Sequence, residues 1–359
     1  MTTIYRTEQA SVLWQKEASF GTRPSTATEW EQFGIHDTFE APDPEIAYEP
    51  MWQVGSSRNR SKLLRGKWTM KGRVSDVRVN PDTALKVLAL PIGRVDNLSV
   101  VEGRATNDER LDSISIQVAV KDTSGSYFIR EWYGGKINRA SLDFSEGEDL
   151  RVSLDDITFK DMVQNQSDID KYLSVTTPFS PKTTLTGNRY VFAAGQMVFF
   201  GQTLGRIKSA SLSVENNLEE KYYWTYNASN TASQTLTDLI EGRRTYNLTV
   251  EMDFADPTTD MTMFKWLMNQ SAANGAKGSS SPTVGGQIVL SLYPIGGESV
   301  GQNYGSGKLT ITAGINPSSN QPGAVVTNGK ISIPSLSSSG LLASNWTIDV
   351  NSISITQGS

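Results

Sequence analysis

Apolar and polar residues alternate with a period of two in the regular segments of this sequence. The alternation is clearest at residues 68–74, 114–120, 150–154, 248–254 and 346–350. Successive side chains of an extended strand point to opposite faces, so each segment can place one face in a core and the other towards water or a partner. The pattern therefore predicts an all-β fold.

Two short segments have helical spacing instead. Segment 80–88 begins with Asn-Pro and carries an apolar stripe at Leu85 and Leu88, and segment 260–267 begins with Asp and repeats the stripe. Each would form a short helix that covers one face of a sheet. The expected fold class is therefore all-β with minor α.

These elements recur in the same order along the chain. Segment 150–159 (LRVSLDDITF) aligns with 346–355 (WTIDVNSISI) at a shift of 196 residues (346 minus 150), and strand 68–74 aligns with 248–254 at a shift of 180 (248 minus 68). The remaining matches are the two helices, Phe33-Gly34-Ile35 with Leu204-Gly205-Arg206-Ile207, and Gly135-Lys136-Ile137 with Gly307-Lys308-Leu309. A shared order of five elements favours a tandem duplication over chance resemblance between short strands.

Duplication in a chain of 359 residues predicts two β-sandwich domains, each with a short flanking helix. We place an N-terminal arm at 1–30, the first domain at 31–170, a linker at 171–190 and the second domain at 191–359. Long loops are expected at 216–238 and, in a Gly/Ser-rich segment, at 271–287. One further similarity complicates these boundaries: GKINRASL at 135–142 resembles GRIKSASL at 205–212, a shift of 70 (205 minus 135).

The residue types that most enzymes need are scarce. The chain has no cysteine and one histidine, His36, which excludes thiolate chemistry and argues against imidazole-based triads and zinc sites. Carboxylates that could act in glycoside hydrolysis, such as Glu146 and Glu148, lie in SEGEDL, which reads more simply as a hairpin turn. We expect no enzymatic activity and no catalytic, cofactor-binding or metal-binding residues.

Charge and hydropathy restrict the possible partners. The formal net charge is −5, so no overall basic field would hold nucleic acid tightly. The first residues carry charges throughout and do not resemble a signal peptide, and no long apolar run predicts a membrane span. We therefore expect a protein made in the cytoplasm without membrane contact.

Two clusters are candidates for a subunit interface. The first is a basic stripe between Arg58 and Arg73, whose interface candidates are Arg58, Arg60, Lys62, Arg65 and Lys67. It could pair with acidic loops of a neighbouring subunit, or it could be a solvated strand face that protects a sheet edge.

The second cluster is aromatic and comprises Tyr222, Tyr223 and Trp224 within KYYWTY. Such side chains could bind a neighbouring subunit or a sugar, or could pack across the strands of a hairpin. A β-rich adhesin or carbohydrate-binding protein is therefore the alternative to a self-assembling structural protein.

Several segments together resemble the tail tube (major tail) proteins of long, non-contractile-tailed phages and archaeal tailed viruses. The opening QKEASFGTRPSTATEWEQFGIHD is similar to the "KE…fGT" start of that family, and GGKINRASLDFSEGEDLRVSLD resembles its "G-K-v-n" hairpin. Further similarity lies in VGSSRNRSKLLRGKWTMKGRV and FFGQTLGRIKSASLSVENNLE. These patterns are spread over most of the chain.

The resemblance implies tail-tube-like β-sandwich domains stacked as rings into a hollow tube through which viral double-stranded DNA passes. It implies a virion protein without cofactors that is assembled in the host cytoplasm, with tape-measure and tail terminator proteins as partners. Family members with one tube domain form hexamers, so a duplicated chain is expected to form a homotrimer that makes a pseudo-hexameric ring.

Overall fold

In the computed structural model the described residues are 5–24, 29–51, 62–102, 110–122, 127–163, 180–182, 185, 188–199, 202–204, 207–226, 232–253, 286–295, 307–314, 323–332 and 343–358. They form one helix and antiparallel strands, which confirms the predicted all-β fold with minor α. The helix is α1 (Ala84–Ala89), and the strands are β1 (Tyr5–Lys16), β2 (Glu31–Gln32), β3 (Thr38–Glu40), β4 (Pro44–Met51), β5 (Lys62–Arg78), β6 (Gly93–Asp96), β7 (Ser99–Glu102), β8 (Ile114–Asp122), β9 (Tyr127–Ser145), β10 (Arg151–Phe159), β11 (Asp161–Met162), β12 (Arg189–Phe199), β13 (Gln202–Leu204), β14 (Ile207–Glu215), β15 (Glu219–Tyr226), β16 (Ala232–Ile240), β17 (Thr245–Asp253), β18 (Ile288–Ile295), β19 (Leu309–Ala313), β20 (Ala324–Ser332), β21 (Ala343–Val350) and β22 (Ile353–Gln357).

The strands pair into three layers. A shared layer runs β3/β4–β5–β10–β9–β14–β17–β21–β20 and contains strands from both halves of the chain. The first covering layer is β2–β1–β8–β9–β11, and the long strand β9 belongs to both layers. The second covering layer is β13–β12–β18–β19–β22–β7–β6, and β15–β16 forms a separate hairpin.

Each half arranges its strands in the same order. In the shared layer β3/β4–β5–β10–β9 of the first half corresponds to β14–β17–β21–β20 of the second. In the covering layers β2–β1–β8–β9–β11 corresponds to β13–β12–β18–β19–β22. β9 and β14 pair at the junction, so one sheet runs through both predicted domains. The domain boundaries stay a prediction.

The residue alignment needs correction within this common order, most clearly on β5. Val152 lies opposite Val77 of β5, whereas Ile348, its aligned counterpart on β21, lies opposite Leu248 of β17. Val77 is therefore the position equivalent to Leu248, not Trp68 as the sequence alignment gives. The error arose because β5 is 17 residues long and alternates over much of its length, while its first part pairs with β4 instead of β10.

Of the remaining predictions for single strands, helices and loops, some are confirmed, one is wrong and some lie outside the described residues. The strands at 68–74, 114–120, 150–154 and 346–350 are confirmed, as is the first helix, where Leu85 and Leu88 are buried. The long loop expected at 216–238 is wrong, because most of it forms the β15–β16 hairpin with alternating cross-strand pairs. The second helix at 260–267 lies outside the described residues, as do most of the linker and of the Gly/Ser-rich segment.

One continuous hydrophobic core joins the layers. Its largest fully buried side chains include Trp132 of the first half and Trp346 of the second. The Trp346 ring fills the space beside Gly329, where an added Cβ would lie 2.1 Å from the ring. Only glycine at this position lets the indole pack flat against β20, because protein cores leave no room for such an overlap.

Candidate subunit interface

The basic stripe begins beyond the described residues and ends on β5. Arg58 and Arg60 lie outside the described part of the chain, as do the side chains of Lys62 and Arg65. The backbones of Lys62 and Arg65 are on the first part of β5, opposite β4. Lys67 follows with an exposed side chain. We call this β4–β5 extension the first arm.

The aromatic cluster lies on a corresponding extension of the second half. Tyr222, Tyr223 and Trp224 are consecutive residues of β15, opposite Leu236, Thr235 and Gln234 of β16. The Tyr223 side chain is 57% exposed, and the Trp224 side chain is outside the described residues. We call the β15–β16 hairpin the second arm.

The two arms meet within one chain. Lys67 Nζ lies 4.9 Å from the centroid of the Tyr222 ring, and Lys71 Nζ lies 3.5 Å from Glu220 Oε1. The Tyr222 hydroxyl is within hydrogen-bonding distance of Glu220 Oε2 (2.7 Å) and of the Trp68 carbonyl oxygen (3.1 Å). Burial and the neighbouring carboxylate raise the pKa of Tyr222, so the phenol stays a hydrogen-bond donor.

These contacts have consequences for both interpretations of the clusters. Tyr222 contacts the first arm with its ring and hydroxyl, so it is not part of a flat exposed platform of the kind that stacks on sugars. Lys67 already has an aromatic partner in its own chain. A role in contacts between subunits stays a prediction for all the candidate residues, which are Arg58, Arg60, Lys62, Arg65, Lys67, Tyr222, Tyr223 and Trp224.

The junction between β9 and β14 is the most extensive contact between the halves in the shared layer. The two strands pair in register from Ser145 opposite Ser209 to Arg139 opposite Glu215. Ser211 Oγ donates a 2.6 Å hydrogen bond across the pair to Asp143 Oδ1. These are the strands of GKINRASL and GRIKSASL, so the similarity at a shift of 70 residues marked the two strands that pair.

Buried polar groups stabilise one end of this junction. Lys136 Nζ, on β9, donates to the Leu239 carbonyl oxygen (2.8 Å) and to Glu241 Oε1 (2.6 Å). Asn216 Nδ2 lies 2.9 Å from the carbonyl oxygens of Pro91 and Ile137. Buried polar side chains remain stable only when they are paired, so these bonds define how the halves fit together.

A second junction joins the halves in the second covering layer. β7, from the first half, adds to the edge of β22, from the second. Glu102 Oε1 accepts hydrogen bonds from the Tyr246 hydroxyl (2.9 Å) and from the Ile353 amide (3.1 Å). Residue patterns do not predict this exchange of strands, because a charged residue at a strand end is expected to be solvent-exposed.

The KEASFGT segment anchors the end of β1 to β9. Glu17 is buried and accepts hydrogen bonds from Ser113 Oγ and Ser115 Oγ (each 2.7 Å), from the Gly134 amide (2.7 Å) and from the Gly21 amide (2.9 Å). Gly134 has φ +70°, and an added Cβ would lie 2.5 Å from the Lys160 Cβ. β9 passes from the first covering layer into the shared layer at this point.

Neither a metal cluster nor a membrane-spanning helix is found in the part of the chain that the structure describes. No group of three or more His, Asp or Glu side chains there is arranged to hold a metal ion. No helix there is long and apolar enough to cross a bilayer. His36 approaches the Gly34 carbonyl oxygen with Nδ1 at 3.3 Å.

Comparison with known proteins gives one extensive match. The sequence profile of a family described as "Phage tail tube protein" matches residues 7–316. Among solved structures, the chain is similar to the anti-feeding prophage cap, the tube terminating cap, with 11% identity over 54% of this chain and all of that one. The TM-score is 0.27, too low to support an argument. A search of curated proteins found no match.

Proposed function

Because this chain belongs to the phage tail tube protein family, and so is a structural protein of a viral tail, we propose that its copies assemble into stacked rings that form a hollow tube for viral DNA. The proposed tube is built in the host cytoplasm and stays in the virion. Tape-measure and tail terminator proteins are its proposed partners, and no catalytic step is assigned to it.

The observation that carries this proposal is the junction between the two halves. Two units with the same strand order already pair edge to edge through β9 and β14. A head-to-tail contact of this kind uses different surfaces on its two sides, so repetition closes a ring if the rotation per unit divides a full turn.

The proposed ring contains three chains, each supplying two tandem domains. A duplicated chain occupies two neighbouring sites of a sixfold arrangement, and the second domain is tethered beside the first at high effective concentration. Because the halves differ in their arms, the ring would have exact threefold symmetry. Its sixfold symmetry would be approximate and limited to the order of the strands.

We assign the open face of the shared layer to the channel. Its exposed residues in the second half are polar and include Thr245, Asn247, Thr249, Asn345 and Asp349, with Lys330 opposite Asn345 on the same face. The opposite face of the sheet packs in the hydrophobic core and cannot line a water-filled channel. A wall made mostly of hydroxyl, amide and carboxylate groups would hold phosphates only weakly, which suits the passage of a duplex.

The test is to count chains and to measure DNA affinity in assembled material. Native mass spectrometry and electron microscopy should find rings or tubes with three chains per ring. Six chains per ring would contradict the trimer, and a protein that stays monomeric at high concentration with tail-assembly partners would contradict assembly. Submicromolar affinity for DNA at physiological salt would contradict the conduit.

A further inference from the structure

The junction inside the chain indicates what must meet at the outer edges of the shared layer. The second half of β9 pairs with β10, as β20 pairs with β21. β14 pairs with β17, as β3 pairs with β5. In strand order β20 is therefore the counterpart of β9, and the segment 35–40 that contains β3 is the counterpart of β14.

The counterparts of the paired strands are unpaired on one side. Within the described residues β20 pairs along its length with β21 alone, and its other edge carries an isolated bridge from Gly286 at Ala324. β3 likewise has β5 as its strand partner in the described part of the chain. Open strand edges present unpaired amide and carbonyl groups that bind another strand.

An exposed isoleucine shows which surface is missing a partner. Ile35 pairs through its backbone with Arg78, the position equivalent to Thr249 of β17, so its counterpart on β14 is Ser211. Ser211 lies inside the β9–β14 junction opposite Asp143, whereas the Ile35 side chain is 62% exposed. Asp37 and Glu40 lie next to it with largely exposed carboxylates, and Lys330 is exposed on β20.

We propose that the open edge of β20 in one copy pairs antiparallel with residues 35–40 of a second copy and covers Ile35. The occupant is a second copy because this chain already forms the equivalent contact between its own halves. This inference rests on the proposed ring and names its intermolecular contact. The ring would alternate internal β9–β14 junctions with β20–β3 junctions between chains.

Engineered cysteines test this contact directly, because the chain has no cysteine of its own. Thr38→Cys is combined in turn with Val325→Cys and Thr327→Cys, so that a register shift of two residues does not hide the contact. The control is Ser141→Cys with Ser213→Cys, which are directly opposite across the internal junction. After mild oxidation the control forms a disulfide within one chain, whereas one of the test pairs links separate chains.

The expected result is at least about tenfold more reducible covalent oligomer than in the single-cysteine variants, because pairing holds the two thiols at high effective concentration. Crosslinks scored on denaturing gels are visible even in a dimer. Crosslinks without rings would support the junction and contradict the ring, and rings without crosslinks in either pair would overturn the junction alone. Absence of both would overturn both proposals.

A second measurement avoids the cysteines. Ile35→Lys should remain folded with an unchanged melting temperature but lose assembly, because it places a charge in the covered contact. Leu98→Lys, an exposed apolar residue between β6 and β7, is the matched control and should assemble normally. Normal assembly of Ile35→Lys, or equal loss in both variants, would overturn the junction.

Discussion

The two halves of this chain share a strand order but connect their layers differently. In the first half the continuous strand β9 crosses from the covering layer into the shared layer. In the second half its counterpart is divided into β19 and β20, which are separated by residues 314–323. The same topology is thus built with an unbroken crossing in one half and a broken one in the other.

The unbroken crossing coincides with a buried carboxylate. Glu17 binds the Gly134 amide where β9 changes layers, and the segment that follows β1 folds over this point. In the second half β12 leads within three residues into β13, without a comparable segment. The difference indicates how one strand can belong to two layers. An added segment, here the one that follows β1, supplies a carboxylate that pairs with the backbone amide where the strand bends.

The largest expected effect comes from destabilising the core of one half and measuring whether the other half unfolds with it. Trp132→Ala and Trp346→Ala each empty the centre of one half, and each should lower the free energy of unfolding by about 3–5 kcal/mol. Because β9 and β14 join both halves in one sheet, chemical denaturation of either variant should show one transition. Two resolved transitions, with one unaffected, would show that the halves unfold independently.

Glu17→Ala tests whether the crossing depends on its carboxylate. Removal leaves two hydroxyls and two amides without their acceptor, so we expect a loss of about 2–3 kcal/mol. Glu148→Ala, which removes an exposed pair with Arg151, is the control and should change stability by about 0–1 kcal/mol. Hydrogen exchange should increase around Gly134 only in Glu17→Ala, and equal effects in both variants would contradict the anchoring role.

The strands and the first helix could be predicted because their signal is local. Alternation over residues such as Leu248, Val250 and Met252 of β17 depends only on which face of the strand is buried. Alternation in β10 breaks at Asp155-Asp156, and both pairings of this strand shift register there. Membership of a tail tube family was predictable from motifs, and the match of the family profile to residues 7–316 confirms it.

The polar contacts between halves could not be predicted in this way. Glu17 and Lys136 are charged residues within or beside strands, where pattern alone places them in water, yet both are buried. Their partners come from strands far along the chain, such as Ser113 for Glu17 and Glu241 for Lys136. The segment 216–238 was wrongly predicted to be a loop, and hairpin packing of KYYWTY was only one of its interpretations, since the pairing depends on β16 further along the chain.

The bond between Lys136 and Glu241 allows the contribution of a single contact between the halves to be measured. Lys136→Met leaves the Glu241 carboxylate and the Leu239 carbonyl without this donor, and Glu241→Gln weakens the same contact from the other half. A double-mutant cycle should therefore give a coupling energy of about 1–2 kcal/mol. Additive effects would show that the pair contributes nothing to the fit of the halves, and a cycle on the exposed pair Lys182–Glu29 is the control.

The smallest expected effect on folding concerns the arms, which differ in charge between the halves. The first arm carries Lys62, Arg65 and Lys67 against Glu45 and Glu49, whereas the second carries Glu219, Glu220 and Asp238 against Lys221. Arg65→Glu reverses one charge of the first arm, and an exposed ion pair contributes only about 0–1 kcal/mol, so the melting temperature should hardly change.

Assembly should respond differently, because repulsion introduced at a contact between subunits is repeated at every copy around the proposed ring. Arg65→Glu is therefore expected to reduce the yield of tubes in sedimentation and electron microscopy while the melting curve stays in place. Lys71→Glu is the matched control, since its partner Glu220 lies in the same chain and its reversal acts on the two arms of one molecule. If folding and assembly fall together in Arg65→Glu, the stripe serves the chain's own fold, and the difference between the arms is internal.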